Sequence, residues 1–397
     1  MKLLTVEDAR ARMLAESVRL DGEAVPLSEA LGRTLAESVS ASRDQPPFAA
    51  SAMDGWALRA ADAPGRLRIV GESAAGRGYD GPVGAGEAVR IFTGAAVPAG
   101  ADSIVIQEDA TRDGDAVVVP AASQGHHVRP AGGDFRAGQQ LLPPGAVLDP
   151  WRLSLAASAG AATLYVARRP RVAILSTGEE VVEPGGSPGP FQIFNSGTTA
   201  LSALVRAWGG EPIPLCPVGD DEAATAAAVE GVPCDLIVTV GGASVGEHDL
   251  VKPALTRLGL SLRVESVAVR PGKPTWFGLL ADGRRVLGLP GNPASALVCA
   301  QLFLKPFLAA MQGGDPELRL ARAKVTVPLA ANGPREHWMR AELSHGLDGA
   351  LMAQPFGDQD SSLVTVFASA DALLRRSAGA PAVSLGGVVD VLPLPRA

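Results

Sequence analysis

Lysine is nearly missing from this 397-residue chain, occurring only at positions 2, 252, 273, 305 and 324. The net charge is −7, and the pairs Arg168–Arg169 and Arg375–Arg376 are isolated rather than part of a basic run. Nucleic acid demands a clustered basic surface, so it is set aside as a partner. Aromatic residues make up only 4% of the chain, which leaves the packing to Ala, Val and Leu. Cys216, Cys234 and Cys299 have no metal-ligand spacing and are odd in number. They are expected to be buried free thiols in a reducing cytosol. The opening residues, MKLLTVEDAR, carry acid where a signal peptide needs an apolar core. The uncharged run 153–167 falls short of the ~18 residues of a membrane span. A cytoplasmic protein with no membrane partner is expected.

Glycine (46) and proline (32) are in excess, nearly a fifth of the chain against roughly 12% on average. Apolar runs separate them, and hydrophobic residues reach 47%, so the excess implies tight turns rather than disorder. The length predicts roughly two to four domains.

The patterning changes along the chain. Residues 6–20 have helical periodicity, with Thr5 as N-cap and Asp8 completing a weak capping box. Residues 27–37 read as a second short helix. From 57 to about 147, short alternating runs punctuated by Gly, Pro and Asp predict a small β domain. A helix is expected over 151–161. From Arg171, strands (171–176, 211–218, 234–240, 285–289) alternate with helices (196–209, 222–230, 249–258, 293–311). That alternation predicts a doubly wound, mainly parallel sheet. The tail, 320–397, returns to short strands and predicts a second β domain.

Ligands on such sheets sit beyond the carboxyl ends of the strands. Three glycine-rich loops fall there: VGGASVGEHD (240–249), RPGKP (270–274) and LPGNPAS (289–295). The first carries Gly241, Gly242, Ser244, Gly246 and Asp249. It reads as a phosphate cradle with a metal-binding carboxylate, or as a plain turn with Asp249 as helix cap. Arg270 and Lys273 offer a stiff anchor for an oxyanion, or a surface turn. Asn292 reads as N-cap and Pro293 as N1 of the last helix, with Ser295 in its first turn. STGEE (176–180) and the pair Asp220–Asp221 are hard-oxygen candidates for Mg²⁺, or solvated turns.

Six motifs taken in order resemble one family. SAMDGWALR, RIFTGAAVPAGAD, STGEE, VGGASVGEHD, RPGKP and GLPGNPAS are similar to those of the molybdopterin molybdenumtransferases, the MoeA family, which includes the gephyrin E domain. The resemblance runs from about residue 3 to 394. It implies an α/β-plus-β multidomain fold whose central sheet is like that of molybdopterin adenylyltransferases. The implied domains are a segmented N-terminal one (1–45 and 140–170), a small inserted β domain (46–139), an α/β domain (171–318) and a C-terminal β-barrel-like domain (319–397).

The implied activity is insertion of molybdate into adenylylated molybdopterin with release of AMP, supported by Mg²⁺. The implied assembly is a homodimer whose cleft is shared between subunits, and the adenylyltransferase of the same pathway is an implied partner. Asp54 and Thr93 would reach the cleft from the partner subunit. Glu180, Asp220 and Asp249 would hold metal or nucleotide. Ser244 with Gly241, Gly242 and Gly246, and the turn Pro290, Asn292 and Pro293, would line the pterin and phosphate pocket. Arg270, Lys273, Ser295 and Arg340 would meet phosphate or molybdate, with Ser361 or Ser362 as a further oxyanion contact. The chain departs from common family residues at Ala49–Ala50, Ser266 and Asp371. The adenylyltransferase step itself and a non-catalytic scaffold are the competing readings.

Overall fold

The computed structural model describes residues 3–242 and 250–394. The chain leaves its N-terminal segment and returns to it. Gly22–Pro26 pairs antiparallel with Thr163–Ala167, and Val39–Ser40 pairs with Gln140–Leu142. Val25, Leu35, Leu148, Leu164 and Val166 make the shared core. The first helix, Val6–Ala15, packs elsewhere: Val6, Ala9 and Met13 join the core of the α/β unit. Half of its capping box is formed: Thr5 Oγ1 accepts from the Asp8 N–H at 3.0 Å, while the Asp8 carboxylate accepts from the Thr5 hydroxyl at 2.8 Å. The second expected helix is a single 3₁₀ turn, Leu27–Glu29, followed by extended chain. Leu35 is buried and bridges to Val166, so strand-like pairing outweighs local helix propensity there.

Between these segments lies a six-stranded sheet in the order Ser103–Ile106, Gly55–Leu58, Glu87–Ile91, Gly65–Ser73, Ala116–Val119, Thr111–Asp113. Gly55–Leu58 is buried along its whole length between two antiparallel neighbours. A Cβ on Gly55 would lie 2.1 Å from the Val105 carbonyl oxygen, a backbone atom that cannot step aside. Gly55→Ala is therefore expected to cost about 1–3 kcal/mol. A lower midpoint of thermal unfolding checks it, and an unchanged midpoint contradicts it.

The α/β sheet runs Glu211–Pro214, Arg171–Ser176, Leu236–Val240, Arg285–Leu289, Trp276–Leu279, Ser261–Val264. The first four strands are parallel; the last two extend the sheet antiparallel. The central strands are buried on both faces, which is why they read as near-continuous apolar runs. The last helix runs from Pro293 to Met311, with a π-helical stretch, Ala300–Leu304, at its centre. It is long and apolar enough to cross a membrane, and 78% of that window is buried inside the protein.

The C-terminal strands form a barrel: Glu336–His345, Leu351–Pro355, Ala321–Val325, Val388–Pro393 and Ala372–Arg376, the last pairing back onto the first. Val269–Arg270, leading into the RPGKP loop, adds to its edge in parallel with Glu336–His345. The barrel is thereby tied to the α/β unit.

Candidate active site

RPGKP follows Val269–Arg270 on the barrel and does not leave the parallel sheet. Ser176, Val240 and Leu289 stand in one row across that sheet, so the turns that open STGEE, VGGASVGEHD and LPGNPAS leave it side by side. Their packing requires glycine. Gly241 has φ +96°, and a Cβ there would lie 2.6 Å from the Thr177 carbonyl oxygen. Gly242 has φ +54°, and its Cβ would lie 2.3 Å from a Val251 methyl. A Cβ on Gly291 would sit 3.4 Å from the Cα of Gly241. The turns therefore offer backbone rather than side chains to a ligand. Pro290 is buried beneath them. Ser244, Gly246 and Asp249 lie outside the described residues.

Behind the cradle is a polar network that sequence reasoning missed. Ser176 Oγ lies 2.8 Å from Thr198 Oγ1 and 3.1 Å from Asn195 Oδ1. Asn195 caps the helix Ser196–Ala207 and donates to Glu183 at 2.8 Å. The Thr177 hydroxyl is buried with no partner among the described residues. Such an atom ordinarily takes its bond from water or ligand. Its signal is the threonine of STGEE, two residues before the first glutamate.

Those acidic loops meet at the same edge. Gly178 donates to the Val218 carbonyl at 3.0 Å, and the Glu179 side chain lies against Gly219. The Glu180 carboxylate folds over Gly178 and is exposed, as is Asp220. Asp221 is committed as N-cap, accepting from Ala224 at 2.6 Å. Among the described residues no group of three His, Cys, Asp or Glu forms a ready-made cage. Two open carboxylates suit a cation that takes its remaining ligands from phosphate and water.

At the third loop the structure corrects a detail. Asn292 precedes Pro293 at the helix start, but its side chain does not cap the helix. It donates to Ser361 Oγ at 2.7 Å, and the Ala294 N–H donates to the Ser361 carbonyl at 3.0 Å. A segment 69 residues away thus takes over the capping. Ser362 is bound to its own neighbour, its N–H and hydroxyl donating to Asp360 Oδ1 at 2.8 and 2.6 Å. Ser361 therefore stands at the helix start, beside buried Ser295.

The barrel contributes cations. Arg340 is wholly buried, and burial pulls its pKa below the usual arginine value while Asp358 and Asp360 pull it back up. Arg270 pairs in register with His337. His337 is pushed down to about 4, chiefly by burial and then by Arg270, Arg340, Arg335 and Arg376, so it is neutral at physiological pH. Gly272, at φ +116°, sits on Cys299, which pins RPGKP to the last helix. Burial raises the Cys299 thiol to about 12, which makes it inert packing. Exposed Lys273 lines an open cavity of about 740 Å³ with Thr5, Glu7, Arg335 and Arg375.

Asp54 and Thr93 form a separate pair in the inserted sheet. Asp54 Oδ1 accepts from the Thr93 N–H and hydroxyl, both at 2.7 Å. Arg90, sandwiched between the Trp56 and Phe92 rings, donates to the Gly55 carbonyl at 3.0 Å. The Thr93 hydroxyl first, then its N–H and Arg90, hold the Asp54 carboxyl below the ordinary aspartate value. The small stabilisation from these exposed bonds is present above the unfolded aspartate pKa and is lost as pH falls through the folded one. Thr93→Val removes the largest cause, so the Asp54 pKa is expected to rise. Carboxyl titration by NMR checks it; an unmoved Asp54 midpoint contradicts it. Among the described residues no hydrogen bond or ion pair joins this pair to the α/β unit.

With this geometry in view, the likeness to known proteins is specific. The chain matches the MoeA N-terminal region (domain I and II) over residues 4–160. It matches the "Probable molybdopterin binding domain" over 173–310 and the MoeA C-terminal region (domain IV) over 322–394. It is similar to the molybdopterin molybdenumtransferase of Nostoc, 35% identical over 94% of this chain and 89% of that protein. The molybdopterin molybdenumtransferase of Haemophilus influenzae is 33% identical over 98% of both. The solved molybdopterin biosynthesis MoeA protein of Pyrococcus horikoshii superposes with a TM-score of 0.83 at 30% identity, covering 100% of both chains. Another solved structure, of a molybdopterin biosynthesis MoeA protein from Pyrococcus horikoshii OT3, gives 0.86 at 26% identity, covering 99% of this chain and 100% of the other. Matched by its N-terminal, central and C-terminal regions alike, the chain belongs to the MoeA family of molybdopterin molybdenumtransferases.

Proposed function

We propose that this protein transfers molybdenum from molybdate into molybdopterin, taken in adenylylated form, and releases AMP. The observation that carries the reading is the seam between sheet and barrel. Buried Arg340, whose Nη2 has no partner among the described residues, donates through Nη1 to the carbonyl of Asp360, the residue before Ser361, which is seated on the LPGNPAS turn. Next to that turn is the glycine-only cradle. An oxyanion site and a phosphate or pterin site thus adjoin, as joining molybdate to a phosphorylated pterin requires.

The protein's part is binding and orientation, with no covalent attack. Gly242 would offer its backbone N–H, and Thr177 its hydroxyl, to the pterin phosphate end, while Gly241, whose own N–H donates to the Leu289 carbonyl, leaves the approach open. Arg270, Lys273, Arg340, Ser295 and Ser361 would hold molybdate beside the dithiolene. The same cations would stabilise charge on the departing AMP phosphate. Glu180, Asp220 and Asp249 would hold a magnesium ion, which supplies charge neutralisation at the anhydride when bound.

The isolation of the Asp54–Thr93 pair within its own chain supports a shared cleft, in which the inserted sheet of one copy serves the α/β unit of another. Asp54, kept ionised, would face the nucleotide end. The reading predicts that the chain restores molybdoenzyme activity in a bacterial strain lacking its molybdenum insertase. Soluble protein that fails to restore it overturns the reading.

A further inference from the structure

A wholly buried guanidinium ordinarily pairs with a carboxylate. Among the described residues none pairs with Arg340, and neutral groups hold it instead. Its Nε donates to Gln359 Oε1 at 3.1 Å, and its Nη1 donates to the Asp360 carbonyl at 3.1 Å. Gln359 also clasps the strand: Oε1 accepts from the Arg340 N–H at 2.9 Å, and Nε2 donates to the Arg340 and Phe356 carbonyls, both at 2.9 Å. The amide thus uses two acceptor and two donor positions, and a flipped amide would oppose like groups. Nη2 is buried and takes no partner among the described residues.

The flanking sequence sharpens the point. Gln359 lies between Asp358 and Asp360, both exposed. The Asp360 carboxylate is turned away to Ser362, while its carbonyl serves Arg340. A neutral amide therefore occupies the one position in this run whose side chain reaches the guanidinium Nε. A carboxylate there would form a charge-assisted pair with Arg340 and cancel its charge.

We propose that Gln359 is a positioning residue that fixes the Arg340 guanidinium without neutralising it, leaving Nη2 and a full positive charge to a tetrahedral oxyanion. This rests on the reading of Arg340 as a molybdate contact. The test measures KM for molybdate and for adenylylated molybdopterin in wild-type enzyme, Gln359→Glu, Gln359→Met and Arg340→Met.

Gln359→Glu is expected to raise the molybdate KM at least ~30-fold, and Gln359→Met about 3- to 10-fold, the charged variant being the worse. The KM for the pterin substrate stays within about twofold in both variants, because the cradle is on other loops. A merely structural role would move both constants together. Should Gln359→Glu not fold, the Gln359→Met ratio decides alone. Unchanged molybdate KM in the Gln359 variants, with Arg340→Met impaired, overturns the positioning role and leaves the functional reading standing. Wild-type turnover indifferent to molybdate overturns both.

Discussion

Arg340→Met is expected to raise the molybdate concentration for half-maximal insertion by about a hundredfold or more. The guanidinium is wholly buried and presents an Nη2 with no partner among the described residues. Its cost of burial has been met by folding, so an arriving dianion finds a desolvated charge already in place. Hydrogen-bonded charges of this kind are worth about 2–5 kcal/mol when one partner is removed. Each ~1.4 kcal/mol is a factor of ten. Methionine keeps much of the volume and removes a buried charge that lacks a carboxylate partner, so the fold is expected to survive. Titration of molybdate against initial rate, with thermal unfolding alongside, checks the prediction. A half-saturating concentration within threefold of wild type contradicts it.

Gly241→Ala should be nearly as damaging, through the other substrate. At φ +96° an alanine is strained by about 1–2 kcal/mol. Its Cβ would also be forced to 2.6 Å from the Thr177 carbonyl and 3.0 Å from the Thr177 hydroxyl. Overpacking of this kind adds about 1–3 kcal/mol. The turn can relieve the clash only by moving off the strand Arg171–Ser176, which opens the cradle. Affinity for adenylylated molybdopterin is expected to fall at least ~30-fold. Gly231→Ala is the control: φ is +69° there, but a Cβ meets nothing within 4 Å. Equal binding by Gly241→Ala and Gly231→Ala would show that the cradle does not hold the pterin substrate.

The α/β sheet was legible because its central strands advertise themselves. Leu236–Val240 is β-branched or aliphatic throughout and wholly buried, and Arg285–Leu289 is buried from Val286 onward. Trp276–Leu279 and Ser261–Val264 were not read as strands. They extend the sheet antiparallel on one side; Ser261–Val264 is exposed over three of its four residues, and Trp276–Leu279, though apolar, is only four residues long and broken by Gly278. The Thr5–Asp8 capping box was readable because it is local. The role of Asn292 was not, because Ser361, its partner, lies 69 residues on.

The same limit applies to the candidate site. Glycines and acids at strand ends carry a local signature. Arg340 came only from the family resemblance, since a lone arginine in a barrel strand has none. Gln359 has no local signature either. Its four hydrogen bonds reach back to a strand 19 residues earlier and to the loop between, and no spacing rule contains them. Pairing within the inserted sheet brings Thr93 to Asp54, 39 residues before it. Neither residue bears on the other until that sheet is built.

The central claim is a transfer of molybdenum coupled to release of the nucleotide. Its most direct test is single-turnover incubation of purified protein with adenylylated molybdopterin and Mg²⁺, with and without molybdate, following AMP and active cofactor together. Molybdate-dependent AMP release, matched mole for mole by active cofactor, is the predicted result. AMP release at the same rate without molybdate, or without any cofactor formed, contradicts it.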